Sequence, residues 1–327
     1  MSHLLEVSNL CVDFMTPDGP VRAVDHLTFH MDAGEILGLV GESGSGKSVS
    51  ALALMGLLDE NAVATADYLA LEGQPLLDLS PAARRRVIGA KIAVIFQEPR
   101  ASLNPCFPIG FQLREAVRVH DNLSRWETRA RIEELLASVG LPDPGRVLDA
   151  YPHQLSAGLC QRVMIAMALA CRPRLLIADE PTTSLDVTIQ AQILELLVKL
   201  ARENQMGLIL ITHDFALLAE STQNVVVMYC GEMVEAGPTE ELLRQPRHPY
   251  TRALIDSIPH FGVHDRKCSR LQTLRGAIPS LTHLPAGCRL GPRCPRAERK
   301  CVKPPRLTRD GGVLVRCHFP LEEHESL

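Results

Sequence analysis

The residues with the clearest chemistry are Gly41-Glu42-Ser43-Gly44-Ser45-Gly46-Lys47-Ser48, which fit G-x-x-x-x-G-K-[ST], the spacing of a loop that cradles phosphate groups. Gly44 and Gly46 let the main chain curl tightly. Successive N–H groups, from Gly41 and Ser43 through Ser45 to Val49, then converge with the positive end of the following helix on one anion. Lys47 reaches the β- and γ-phosphates as a point charge, and the Ser48 hydroxyl ligates Mg²⁺.

Further along, Asp179 and Glu180 follow the apolar run 175–178, and neighbouring strand-end side chains point in different directions. That lets Asp179 hold Mg²⁺ through water while Glu180 faces the γ-phosphate and polarises an attacking water. Phosphoryl transfer to water needs little covalent help from a protein, so positioning and charge neutralisation carry it. The other reading of the pair is as helix-entry acids before Pro181. His213 closes the apolar run 208–212, where it either plays a structural part or contacts the γ-phosphate beside the loop.

These groups need elements to hold them. Residues 36–40 read as a short buried strand leading into the glycine loop, and 49–58 as an apolar helix leaving it. Before them, residues 4–34 alternate polar and apolar positions around the turn residues Thr16-Pro17-Asp18-Gly19-Pro20, as two half-exposed strands do. Phe14 ends the first of these strands, where an aromatic ring either packs or stacks on a nucleotide base. Arg84-Arg85-Arg86 reads as a solvated helix face. The strand 91–96 ends at Gln97, since Pro99 forbids continuation of the ladder. From 108 to about 171 the pattern is helical, with Ser156 placed to cap an all-apolar helix through 163–170. An amphipathic helix over 189–203 follows. Strands alternating with helices predict an α/β chain with a largely parallel sheet and polar residues at the strands' carboxyl ends, where ligands collect.

The 327 residues leave room for about two domains. Apolar residues at 46% and charged ones at 22% are ordinary for a globular protein with a substantial core. A formal charge of −4 provides no strong basic excess to neutralise phosphates, which disfavours nucleic acid as a partner. Met1-Ser2-His3-Leu4-Leu5-Glu6 has no basic segment leading into an apolar one, against a secretory signal. Apolar runs fall far short of the ~20 residues that span a bilayer. A cytosolic chain, attached to a membrane only through partners, is expected. Ten cysteines in that compartment do not favour structural disulfides, so metal ligation is the better explanation for any cysteine cluster.

Taken together, the glycine loop, Gln97, Leu155-Ser156-Ala157-Gly158, Asp179-Glu180, Ser184-Leu185-Asp186 and His213 resemble an ABC-type ATPase in order and spacing. The resemblance implies a P-loop ATPase domain over 1–237, with a mixed sheet core and a helical subdomain at about 98–171. It also implies a head-to-tail pair of such domains, with two ATPs between one chain's phosphate loop and the other's signature loop. In that arrangement Phe14 stacks on adenine and Gln97 senses Mg²⁺, the attacking water and the membrane subunit. Ser156 and Gly158 donate to the partner's γ-phosphate, and Asp186 lies at the seam. The family's usual signature is Leu-Ser-Gly-Gly-Gln, whereas Ala157 and Leu159 flank Gly158 here. If position 157 needs a positive φ, alanine costs on the order of 1 kcal/mol there. That prompts the expectation of a heterodimer with unequal sites.

Residues 238–327 exceed what a minimal ATPase needs. Arg247-His248-Pro249-Tyr250-Thr251-Arg252-Ala253-Leu254 resembles the motif of ATPases from dipeptide and oligopeptide transporters. Gly276-Ala277-Ile278-Pro279 and the stretch from Gly287 through Cys294-Pro295 look most like the Sap branch, associated with antimicrobial peptides and putrescine export. Cys288, Cys294, Cys301 and Cys317, spaced C-x₅-C-x₆-C-x₁₅-C, suggest a metal that folds this small extension. Spacing alone leaves open an iron–sulfur cluster, zinc and unligated thiols. The resemblance implies a [4Fe–4S] cluster.

The expected function is therefore the ATP-hydrolysing subunit of an inner-membrane peptide transporter, peripheral on the cytoplasmic face. Two permeases, a second ATPase and a periplasmic binding protein are the implied partners. Other readings are putrescine export, a redox-sensing ATPase gated by the cysteine extension, and a soluble ATPase acting on nucleic acid or ribosomes. Proteins of the last kind usually carry a coiled-coil insertion or two ATPase halves in one chain, and neither is present in the sequence.

Overall fold

The structure, a computed structural model, describes residues 3–120, 123–183, 185–258, 274 and 276–322. The chain divides into two compact units, one of Met1–Leu4, Met31–Ile36 and Asp78–Ile211, the other of Leu5–His30, Leu37–Leu77 and Thr212–Leu327.

In the first unit the strand Leu175–Asp179 lies between two parallel neighbours, Ile92–Ile95 and Gly207–Thr212, with Leu175 opposite both Ile92 and Gly207. Residues 175–178 are wholly buried. A parallel strand covered on both faces requires such a continuous apolar run. Ala157–Ala168 packs on the neighbouring strand Ile92–Ile95 and on the helices Ile109–Arg118 and Arg125–Ser138, and Pro144–Asp149 packs on Ile109–Arg118. Their starts are chemically marked. Ser124 and Glu127 form a reciprocal capping box, and the Ser156 hydroxyl accepts from the Leu159 N–H at 3.3 Å, as its position predicts. The helix Val187–Glu203 buries Ile193, Leu197, Leu200 and Ala201 on one stripe, the 3.6-residue period that the sequence shows.

In the second unit Leu5–Thr16 is the hub of a small sheet, next to Gly19–Met31 and antiparallel to Ala62–Thr65 and Tyr68–Leu71. The strand Ile36–Val40, buried throughout, runs parallel to Asn224–Tyr229, with Leu39 opposite Val226. Asn224–Tyr229 then pairs antiparallel with Glu232–Pro238, which continues through Val313–Val315 to Thr308–Asp310. The C-terminal residues thus add strands to the sheet that carries the phosphate loop. Among the described residues, no helix is long and apolar enough to cross a membrane.

Glu235 is fully buried in that sheet, where its carboxylate accepts the backbone N–H groups of Arg247 at 2.6 Å and His248 at 3.0 Å. Burial pushes its carboxyl up from 4.5 to about 7, and burial likewise holds His248 down from 6.5 to about 3. Between pH 4.5 and 7 the folded chain therefore keeps a proton on Glu235 that the unfolded chain has lost. Stability from this group falls as pH rises through that window. His248 has the opposite sign, since the unfolded chain binds its proton first as pH falls below 6.5. Glu235→Gln is expected to remove the first contribution, roughly 3 kcal/mol across the window, so that the midpoint of thermal unfolding climbs more steeply with pH than in the unmodified chain. Identical pH slopes for the two proteins contradict this.

Candidate nucleotide-binding site

The loop leaves the buried strand Ile36–Val40 and enters the helix Lys47–Met55 through Gly46, whose φ is 102°. A Cβ at Gly46 would lie 2.6 Å from the Ala23 carbonyl, and one at Gly41 would collide with the Met228 carbonyl. Only glycine fits either place. Lys47 is 4% exposed. Its Nζ donates to the Gly41 carbonyl at 2.7 Å, the Glu42 carbonyl at 3.0 Å and the Ser45 hydroxyl at 3.4 Å, so the charge is buried but solvated by the loop. Ser43, Gly44 and Ser48 are exposed, Ser45 is buried and Val49 half-buried. Gly44, with φ 78°, has no atom within 4 Å of where a Cβ would sit, so the loop is open there. A cation beneath an open, glycine-lined turn at a helix start fits a polyphosphate.

The second loop residue is held from far along the chain. Glu42 donates its N–H to the Tyr250 hydroxyl at 2.7 Å. Its carboxylate accepts both terminal nitrogens of Arg293, at 2.7 and 3.1 Å. Arg293 also donates to the Tyr229 hydroxyl at 3.3 Å and lies over that ring, which tilts against Tyr250 with centroids 4.7 Å apart. Nearby, Arg289 donates to Asp25 and to the Cys230 carbonyl. In the sequence Tyr250 and Arg293 stand only inside family-like motifs, a tyrosine and an arginine in an extension whose most visible feature is its cysteines.

In the first unit Gln97 and Glu180 come together: Gln97 Nε2 donates to Glu180 Oε2 at 3.0 Å, and the Thr183 hydroxyl donates to the same oxygen at 3.0 Å. Glu180 has a φ of 45°, in the left-handed region, and its N–H is held by the Ile211 carbonyl at 3.0 Å. For a residue with a side chain that backbone costs on the order of 1 kcal/mol, the kind of strain that collects at functional sites. Asp179 is the last residue of its strand and lies opposite Ile211. Asp186 caps the helix Val187–Glu203 by accepting the Ile189 N–H at 3.1 Å. Ser184 lies outside the described residues.

Ser156 is exposed at the start of its helix, and Gly158 packs where a Cβ would stand 3.2 Å from Ile189. Ala157 is the first helical residue and is not among the residues with positive φ. The altered signature therefore carries no backbone strain, and strain gives no reason to expect unequal sites. In the second unit His213 is exposed, just past the strand Gly207–Thr212. Phe14 is half-buried opposite Ala62.

The cysteine expectation needs correction. Cys288, Cys294, Cys301 and Cys317 do line one cavity, yet its volume of about 10 Å³ is that of a single water. Burial raises the thiols of Cys288 and Cys294 and pushes Cys317 up to about 11. Among the described residues, the one group of three or more ligand types with donor atoms within 4.8 Å of one another is Cys11, Asp25 and His26, not the tail cysteines. That group's carboxylate is already paired with Arg22 and Arg289. The four tail cysteines do not fit a single zinc ion.

The chain matches the ABC transporter family over residues 24–183 and the family described as oligopeptide/dipeptide transporter, C-terminal region, over 234–301. It is 51% identical over 321 residues to the dipeptide transport ATP-binding protein DppD of Haemophilus influenzae, covering 98% of this chain and 96% of that one. It is 46% identical over 323 residues to the peptide transport system ATP-binding protein SapD of Salmonella typhimurium, covering 97% and 98%. Among solved structures, the dimeric ATP-binding cassette MJ0796 bound to ADP and Pi superimposes with a TM-score of 0.65 at 25% identity, covering 72% of this chain and 98% of that one. These relatives are ATP-binding proteins with no iron–sulfur centre in their description, which overturns the [4Fe–4S] expectation. The dipeptide protein exceeds the Sap protein in identity, so the likeness establishes the group and does not single out its Sap branch. Neither putrescine export nor action on nucleic acid finds support among them. The chain is an ATPase, and it belongs to the family of ATP-binding subunits of dipeptide and oligopeptide ABC transporters.

Proposed function

We propose that this chain hydrolyses ATP to drive a peptide-transporting complex of the inner membrane, seated peripherally on its cytoplasmic face. The observation that carries the reading is the buried Lys47 ammonium beneath an open glycine turn, a geometry suited to polyphosphate. The loop N–H groups and Lys47 hold the phosphates. Ser48, Gln97 and Asp179 would hold Mg²⁺, which would supply charge neutralisation to the phosphates. Glu180 accepts a proton from the attacking water, its carboxylate oriented by Gln97 and Thr183. His213 contacts the γ-phosphate and Phe14 the adenine.

The chain works as one of a pair, with Ser156, Gly158 and Asp186 facing the partner's nucleotide. The dimeric state of the MJ0796 cassette supports a pair. A second, non-identical ATPase is the proposed partner: the departure at Ala157 and Leu159, though free of backbone strain, changes the side chains offered to the partner's nucleotide, while this chain's own loop is intact. Two permeases complete the membrane part, with a periplasmic binding protein delivering cargo. The exposed rings of Phe107 and Phe111, stacked 4.6 Å apart in the unit that carries Gln97, support a permease contact there.

Reconstitution of the complex in vesicles tests this reading. Di- and oligopeptides are expected to accelerate phosphate release and to cross the membrane. Acceleration by putrescine alone contradicts the proposed cargo, and no ATP consumption contradicts the reading as a whole.

A further inference from the structure

Glu42 puts a carboxylate inside an anion-binding loop, where its negative charge opposes a polyphosphate. Three contacts account for its place there. Its N–H is taken by Tyr250, its carboxylate is forked by Arg293, and its carbonyl accepts from Lys47 at 3.0 Å. Glu42 thus links a guanidinium of the extension to the ammonium that grips phosphate. The arginine is itself fixed: its side chain is 6% exposed, its backbone N–H donates to the Leu290 carbonyl at 2.8 Å, and Tyr229 braces it from the core of the sheet. A planar fork on a carboxylate sets direction as well as distance, which an ammonium in its place does not.

We infer that Arg293 is a positioning residue for ATP binding, which acts through Glu42 and with Tyr250 to hold the phosphate loop and Lys47 in the binding conformation. The extension is then part of the nucleotide site, and ATP affinity reports on its fold. This rests on the proposed reading of the loop as the ATP site.

The test uses the full chain, a fluorescent N-methylanthraniloyl ATP for affinity, and KM and kcat of the assembled complex. Arg293→Gln is expected to weaken binding about tenfold, the loss of a charge-assisted pair, and to raise KM in parallel while kcat is unchanged. Glu42→Gln separates positioning from plain electrostatics. Removing a negative charge beside phosphates tightens binding if charge alone matters, whereas loss of the fork weakens it several-fold. The double variant is expected to bind no worse than Arg293→Gln, because both changes break one link. Tyr250→Phe, which deletes a single oxygen from a ring that stays packed, is expected to weaken binding as well and decides the matter should Arg293→Gln fail to fold. Equal or tighter binding by Glu42→Gln, additive losses in the double variant, or unchanged affinity in Tyr250→Phe overturns the inference. Failure of the unmodified chain to bind the analogue overturns the proposed function and this inference together.

Discussion

Glu180→Gln is expected to lower steady-state ATP turnover by about 10²–10⁴-fold, the range for loss of a general base, with ATP binding preserved. The substitution keeps what the structure uses to orient the group. An amide oxygen still accepts from Gln97 and Thr183, which meet Oε2 at 3.0 Å each, and the backbone at φ 45° is unaffected. What disappears is the capacity to take a proton from water. Phosphate release and analogue binding measured on one preparation check this. Turnover within threefold of the unmodified complex removes Glu180 from the chemistry.

Lys47→Ala is expected to weaken ATP binding by at least about 10²-fold. A unit charge about 4 Å from a phosphate is worth about 4 kcal/mol at the effective dielectric of a protein surface, and part of that is recovered by water. The loop also loses the donor shared by the Gly41 and Glu42 carbonyls, so its curvature relaxes. Isothermal titration with ATP·Mg²⁺ reads the effect. Affinity within fivefold of the unmodified chain assigns the phosphates to another site.

Much of the site was legible because it is local. Ile36 to Lys47 is a buried strand, a glycine turn and a helix start within one short stretch, and each part has a composition that physics restricts. The runs ending at Ile95, Asp179 and Thr212 read as buried strands because two covered faces leave no polar position. Ser156 announced its helix as a cap, whereas the capping role of Asp186 emerged only with the structure.

The rest depended on distance in space. Glu42 and Arg293 are 251 positions apart, and no periodicity connects them. Cysteine spacing counts residues and says nothing of where sulfurs converge, so it gave no warning that the four thiols would be held apart around a water-sized gap. The signature loop leaves open in sequence whether Ala157 needs a positive φ, whereas as the first residue of a capped helix it is at no disadvantage.

The most direct test of the central claim is an experimental structure of the full-length Glu180→Gln protein with ATP and Mg²⁺. The account predicts β- and γ-phosphates against the backbone N–H groups of residues 43–48, with Lys47 Nζ donating to phosphate oxygens while it stays anchored on the Glu42 carbonyl. Nucleotide bound elsewhere, with no phosphate oxygen on Lys47, contradicts it.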